Sequence, residues 1–339
     1  MNPRPTVYET VALTAELSGH KARILKTRAV FKRFGGLESR CCIVSWYSQS
    51  ITFSTVFICT VVFRVRQVTE KAYANPHVAR HNITAAYLLC LTTALGLLLV
   101  YIFQNLYSDF MYSFSSISSP IMAGGAALSS FFALRRYWDK IGSRISRIWL
   151  CFTLGMLLWF LGELGWGIYT MFFGVEIPFP SIADIFWLSG YLPLFIALLL
   201  YVEIFQPAIT VKSFLVAGAI VAGMSAVIFS SLMIPVLADA AEYDMITLGV
   251  SLAYPALDLF LFLEAILGLS VFTVTKMKGR VSVAWHFMNT AILLNVIGDM
   301  VFSYTNLNGT YYDGHPLELF YHFGYMLFAL AFYVHQKEL

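Results

Sequence analysis

Residues 135–147 read RRYWDKIGSRISR, placing Arg135, Arg136, Lys140, Arg144 and Arg147 within thirteen positions. An apolar run lies on either side, 110–134 before and 148–172 after. Each is close to the ~20 residues that carry a helix across ~30 Å of hydrocarbon. A basic loop between two such runs predicts a hairpin of spanning helices whose connection lies in the cytoplasm.

The same sorting holds outward from this hairpin. Further apolar runs cover 83–107, 183–205, 213–237, 245–273, 283–305 and 316–335. Alternate connections hold Lys212, then Lys276, Lys278 and Arg280; Lys337 follows the last run, and twelve basic residues precede the first. The intervening connections hold no Lys or Arg and carry Asp109, Glu176, Asp239, Glu242, Asp244 and Asp313. All 22 basic residues thus fall on one side of an eight-span arrangement. Backbone groups in hydrocarbon must be paired within the segment, which favours helices, and no period-two alternation points to a barrel. Composition agrees: 12% charged and 59% hydrophobic, against roughly 25% charged in a soluble domain. The expected fold is an all-α integral membrane protein of about eight transmembrane helices, N-in/C-in, multi-pass in the cell (plasma) membrane.

Residues 1–80 form a distinct basic region ahead of the membrane domain 81–339. Its one apolar run, 51–63, has 13 residues with basic flanks on both sides, and so reads as interfacial or non-spanning. The poor fit of this region to the rest also raises a start upstream of the natural one. The cysteines Cys41, Cys42, Cys59, Cys90 and Cys151 show no disulfide or metal spacing and read as free thiols.

An internal repeat organises the domain, relating 148–205 to 283–335. Trp149 answers Trp285, and Gly162-Glu163 answers Gly298-Asp299 at the same spacing. In the following helices Asp184, Phe186, Gly190 and Tyr191 answer Glu318, Phe320, Gly324 and Tyr325. Tyr254-Pro255-Ala256-Leu257-Asp258 is a weaker echo of the proline-then-acid element. The expectation is four two-helix hairpins in parallel orientation. The stretches PSIADIFWLSGY (180–191), LAYPALDLFLFL (252–263) and VIGDMVFSY (296–304) resemble the multi-helix membrane region found ahead of GGDEF/EAL enzymes and some histidine kinases in bacteria and archaea. The resemblance covers roughly 83–336 and implies a sensory input module. The sequence contains no GGDEF or kinase output domain after it, so any signal would pass to a separate cytoplasmic partner.

Carboxylates within spans are candidate functional groups, because burying them in hydrocarbon is costly. Helical spacing puts Trp159, Glu163, Trp166 and Thr170 on one face, and Asn295, Asp299, Ser303 and Asn306 on another. Asp184, Trp187 and Tyr191 share a face, as do Glu318, Tyr321, His322 and Tyr325. Turned inward, these faces predict an outward-opening cavity of acids and aromatics suited to a cationic or polyhydroxylated small molecule. Plainer roles stand beside this reading. Ser181-x-x-Asp184 spells a capping box, and Pro316 before Glu318 is ordinary helix-start chemistry. Glu163, Asp299 and Asp258 serve equally as interhelical hydrogen-bond glue, with Pro255 as a kink. His322 reads as a packing residue, and Glu203 and Glu264 as snorkelling or interfacial. Trp138, Tyr311 and Tyr312 suit an aromatic belt. Gly124-Gly125 and the pair Gly218 and Gly223 suit close helix contact.

No histidine pairs at ligand spacing, no nucleophile elbow and no phosphate loop are present, so no catalytic residue, metal site or cofactor is expected. Expected partners are the bilayer, the cytoplasmic signalling partner and a small ligand from outside, with no nucleic acid. The alternatives to a sensor are a small-solute or proton-coupled transporter and, behind it, an intramembrane lipid-processing enzyme.

Overall fold

The computed structural model describes residues 76–140, 142–173, 178–205, 210–275 and 280–338. The region expected over 1–80, its run 51–63 and Cys41, Cys42 and Cys59 lie outside them, apart from residues 76–80. The connecting residues Glu176, Lys276 and Lys278 also lie outside.

Among the described residues the regular structure is helical throughout. In chain order it comprises α1 (Pro76–Ile102), α2 (Ser108–Arg135), α3 (Arg144–Ile168), α4 (Ile182–Phe205), α5 (Val211–Ile228), α6 (Ile234–Ala238), α7 (Met245–Thr275), α8 (Arg280–Leu307) and α9 (Glu318–Glu338). Seven helical stretches among these residues are long and apolar enough to cross a membrane: Asn82–Ile102, Phe110–Arg135, Arg144–Met171, Ile182–Glu203, Val211–Ala238, Met245–Ser270 and Ser282–Leu307. This makes a multi-pass membrane protein. The eighth expected run forms α9, which is 21 residues long but carries Glu318, Tyr321, His322, Tyr325, Tyr333 and His335.

Local chemistry sets the helix ends. The Ser143 hydroxyl accepts the Ser146 N–H to start α3, and Thr210 accepts the Ser213 N–H to start α5. Asp244 accepts the Ile246 and Thr247 N–H groups and the Thr247 hydroxyl at the head of α7. These bonds, the Thr247 hydroxyl foremost, hold its carboxyl below the usual aspartate range. The run expected over 83–107 stops at Ile102, where Gln104–Leu106 turn as a 3-10 helix. The run 213–237 continues from α5 into α6 through a π-turn, Phe229–Met233.

Six helices close into a ring, each packed on the next, in the order α2, α3, α4, α7, α8, α9 and back to α2. α5 packs outside the ring against α7. α1 lies against α8 and α9, with Ile83 beside Ala284, Leu330 and Val334. The sequence repeat is a repeat in space. On α3 and α4, a Cβ at Gly162 would stand 2.5 Å from the Trp187 ring, and one at Gly190 2.5 Å from Trp159. On α8 and α9, Gly298 faces Tyr321 in the same way and Gly324 faces Asn295. Each pair of glycines lets its two helices close over a side chain of the other. Gly218 and Gly223, expected at a close contact, stand in open space: a Cβ at either would meet nothing within 4 Å. Gly125 is likewise open, while Gly124 meets Phe160.

The ring is filled unevenly. Toward the end bearing residues 135–147, aromatic side chains plug it. Tyr201 stacks on Trp285 with centroids 3.3 Å apart, and Trp149 lies 4.2 Å from His335. Tyr137 Oη stands 2.8 Å from His335 Nε2. Phe152 and Phe332 close the layer against Trp149. Toward the opposite end the ring is hollow.

Candidate functional site: an acidic, tyrosine-lined cavity

The hollow is a cavity of about 290 Å³. α3 contributes Trp159, Glu163 and Trp166; α4 contributes Asp184, Trp187 and Tyr191; α8 contributes Asn295, Asp299, Ser303 and Asn306; α9 contributes Glu318, Tyr321 and Tyr325. These are the faces expected from helical spacing. Phe179, Tyr243 and Tyr311 line the cavity from the connections at that end. Among the described lining residues none is Lys, Arg or His.

Tyrosine hydroxyls answer the acids. Tyr325 donates to Glu163 Oε1 at 2.9 Å, and Tyr321 to Asp299 Oδ1 at 2.9 Å. Tyr254 donates to Asp184 Oδ1 at 2.8 Å, and Tyr101 to Glu318 Oε2 at 2.7 Å. The first hairpin, which contributes no acid to the cavity, thus supplies a donor. The repeat makes two of these bonds reciprocal. Tyr191 of the first copy reaches Asp299 of the second at 2.9 Å, while Tyr325 of the second reaches Glu163 of the first. Trp159 stands edge-on to both tyrosines, with centroids 5.7 Å and 6.3 Å away.

Asp184 and Glu318 also keep their helix-start roles. Asp184 accepts the Ser181 N–H at 2.6 Å while Ser181 accepts the Ala183 N–H, the expected capping box. Glu318 accepts the Gly314 N–H at 2.7 Å, where Gly314 turns at a φ of +88° that favours glycine. Tyr311, expected in an aromatic belt, instead points its hydroxyl at Glu318 Oε1 at 3.3 Å. Burial, then the Glu318 charge, hold that phenol protonated, well above the ordinary tyrosine range. Trp138 and Tyr312 are exposed, as a belt requires.

Thr170, expected on the face of Trp159 and Glu163, is buried and turns its hydroxyl to the Trp166 carbonyl, and one candidate site residue is placed differently from the sequence reading. His322 is not in the cavity wall. Its Nδ1 lies 2.7 Å from the Glu318 carbonyl and its Nε2 2.7 Å from Ser118 Oγ, fully buried between α9 and α2. Helical spacing put it near the acids, but its offset from Tyr321 and Tyr325 turns it to the neighbouring helix. Asp258, read as glue, is 1% exposed and does accept an interhelical bond from Tyr191 at 2.7 Å. Spacing could not show that the same hydroxyl also reaches Asp299. A hydroxyl has one proton and here faces two carboxyl oxygens. Both contacts are hydrogen bonds only when one carboxyl carries a proton of its own. The pair Asp258 and Asp299 therefore shares one proton beside the Tyr191 hydroxyl.

α2 also lines the cavity, through Ser115, Ser116, Ser119 and Pro120. The serine-rich stretch SFSSISSP (113–120), polar within an apolar run, was the available signal. Cys90 and Cys151 are free thiols. Among the described residues no three His, Cys, Asp or Glu converge as metal ligands. No protein-family model matches the chain, and no curated protein or solved structure matches it.

Proposed function

We propose that the chain crosses the plasma membrane eight times, both ends inside, as a sensor-like module. Its outward cavity binds a small cationic or polyhydroxylated molecule. One observation carries this reading: a cavity with four lining carboxyls, tyrosine and tryptophan walls and, among the described residues, no basic side chain. Cations bind carboxylates and aromatic faces, and sugars use the same acceptors with flat rings. α9 supports the count of eight, being long enough to span and seated within the ring, where its polar side chains find partners. The alternation of basic residues supports the orientation. The aromatic plug beneath the cavity favours relay over passage, since occupancy above it can shift helices whose loops, including 135–147, face a cytoplasmic partner. The resemblance to sensory membrane regions points the same way.

The shared proton on the Asp258–Tyr191–Asp299 chain favours a second reading, a proton-coupled transporter. Thermal unfolding of the detergent-purified protein against amines and sugars, with Glu163→Gln/Asp299→Asn alongside, tests the site. A compound that raises the wild-type Tm and leaves the variant's unchanged supports it. Identical responses to every compound overturn it. Proton-linked flux of that compound in proteoliposomes selects the transporter reading; its absence selects the sensor.

A further inference from the structure

A second recess lies at the other end of the ring, outside it, where α4, α5 and α7 meet. It encloses about 620 Å³, and its walls include Leu199, Val211, Phe214 and Leu267. Leu199, Val211 and Phe214 are exposed apolar side chains, so this groove belongs to the surface that hydrocarbon covers. Two carboxyls stand in it, Glu203 and Glu264. They are not alike. Glu203 is half-exposed and accepts from Arg144 at 3.3 Å. Glu264 is only 6% exposed, and its Oε2 has no hydrogen-bond partner among the described residues. Snorkelling, the role its sequence position suggested, does not describe it. A buried carboxyl oxygen without a donor is costly, and the neighbouring cation is committed to Glu203.

We infer that this groove binds a membrane phospholipid with a primary ammonium headgroup, the ammonium donating to Glu264. Depth fits. Glu203 ends one candidate span, Val211 begins another, and Glu264 lies six residues inside the end of a third at Ser270, about 9 Å by helix rise. Charge fits as well. The headgroup is zwitterionic, and Arg144, which reaches Glu203 of this groove through one guanidinium nitrogen, has further N–H groups for its phosphodiester. The apolar walls take the upper acyl chains. This site is separate from the acidic cavity and independent of what that cavity binds.

Native mass spectrometry of the delipidated full chain tests it, with phosphatidylethanolamine, phosphatidylcholine and phosphatidylglycerol of identical acyl chains. Methylation leaves phosphatidylcholine its charge and removes its N–H donors. The wild type should retain phosphatidylethanolamine about tenfold over the other two, the ratio that ~1.4 kcal/mol represents. Glu264→Gln should reduce this to parity. Val211→Trp, a change at a largely exposed wall position that leaves the fold intact, should abolish the preference by narrowing the groove. Equal retention of the three lipids by the wild type overturns the inference, as does a preference that survives either substitution.

Discussion

Tyr191→Phe removes one oxygen and leaves the ring in place, so its effect isolates the hydroxyl. That hydroxyl serves two acids, at 2.7 Å and 2.9 Å. Asp299 keeps Tyr321 and borders the cavity, so its loss is that of one intramembrane hydrogen bond, ~0.6–1.7 kcal/mol. Asp258 is nearly sealed and is left with an orphaned buried group, which costs ~1–3 kcal/mol. The expected total is about 2–5 kcal/mol. Tyr325→Phe, at the equivalent position of the repeat, removes one bond to Glu163, which also borders the cavity. It should cost only ~0.6–1.7 kcal/mol. Equilibrium unfolding in mixed detergent micelles, followed by tryptophan fluorescence, measures both. Asp258→Asn completes the set: its amide offers both an N–H donor and a carbonyl acceptor in place of the shared proton, and it should cost under ~1 kcal/mol. Equal losses for the two tyrosines would refute the bridged-acid argument. An Asp258→Asn loss as large as that of Tyr191→Phe would refute the shared proton.

Gly162→Ala and Gly190→Ala should each destabilise by about 1–3 kcal/mol through overpacking against tryptophan, whereas Gly125→Ala, with open space around it, should be neutral or slightly stabilising in the same unfolding assay. His315 accepts the Leu317 N–H on its Nδ1, and burial holds its pKa below the ordinary imidazole value of 6.5; its unfolded form therefore binds more protons, stability falls as pH drops through about 7 to 5, and His315→Gln should flatten that part of the wild-type pH curve.

The spans were legible because hydrocarbon imposes one simple demand on length and polarity, and the basic loops repeat a single rule. Expected and observed helices agree within a few residues except where polar residues or a π-turn intervene, as at Gln104 and Phe229. The polar faces of α3, α4 and α8 were legible for the same reason: at 3.6 residues per turn, Glu163 carries Trp159 and Trp166 with it. Partners across helices were not. Nothing in the spacing around Tyr191 says that its hydroxyl ends between Asp258 and Asp299, because that depends on how α7 and α8 close on α4. The close glycines illustrate the same limit. Gly218 and Gly162 look alike in sequence, and only the second has a tryptophan opposite.

The exchange of tyrosines between the two copies also sets a clock. Tyr325 lies 162 residues beyond the Glu163 it serves. At ~5–20 residues per second, a ribosome takes roughly 8–30 s to make that stretch. For that interval α3 holds Glu163 without the tyrosine that will serve it. A nascent hairpin of α3 and α4 must therefore wait in the bilayer with Glu163 protonated, hydrated or shielded by the insertion machinery. α9 then brings the Tyr325 hydroxyl that completes its pairing.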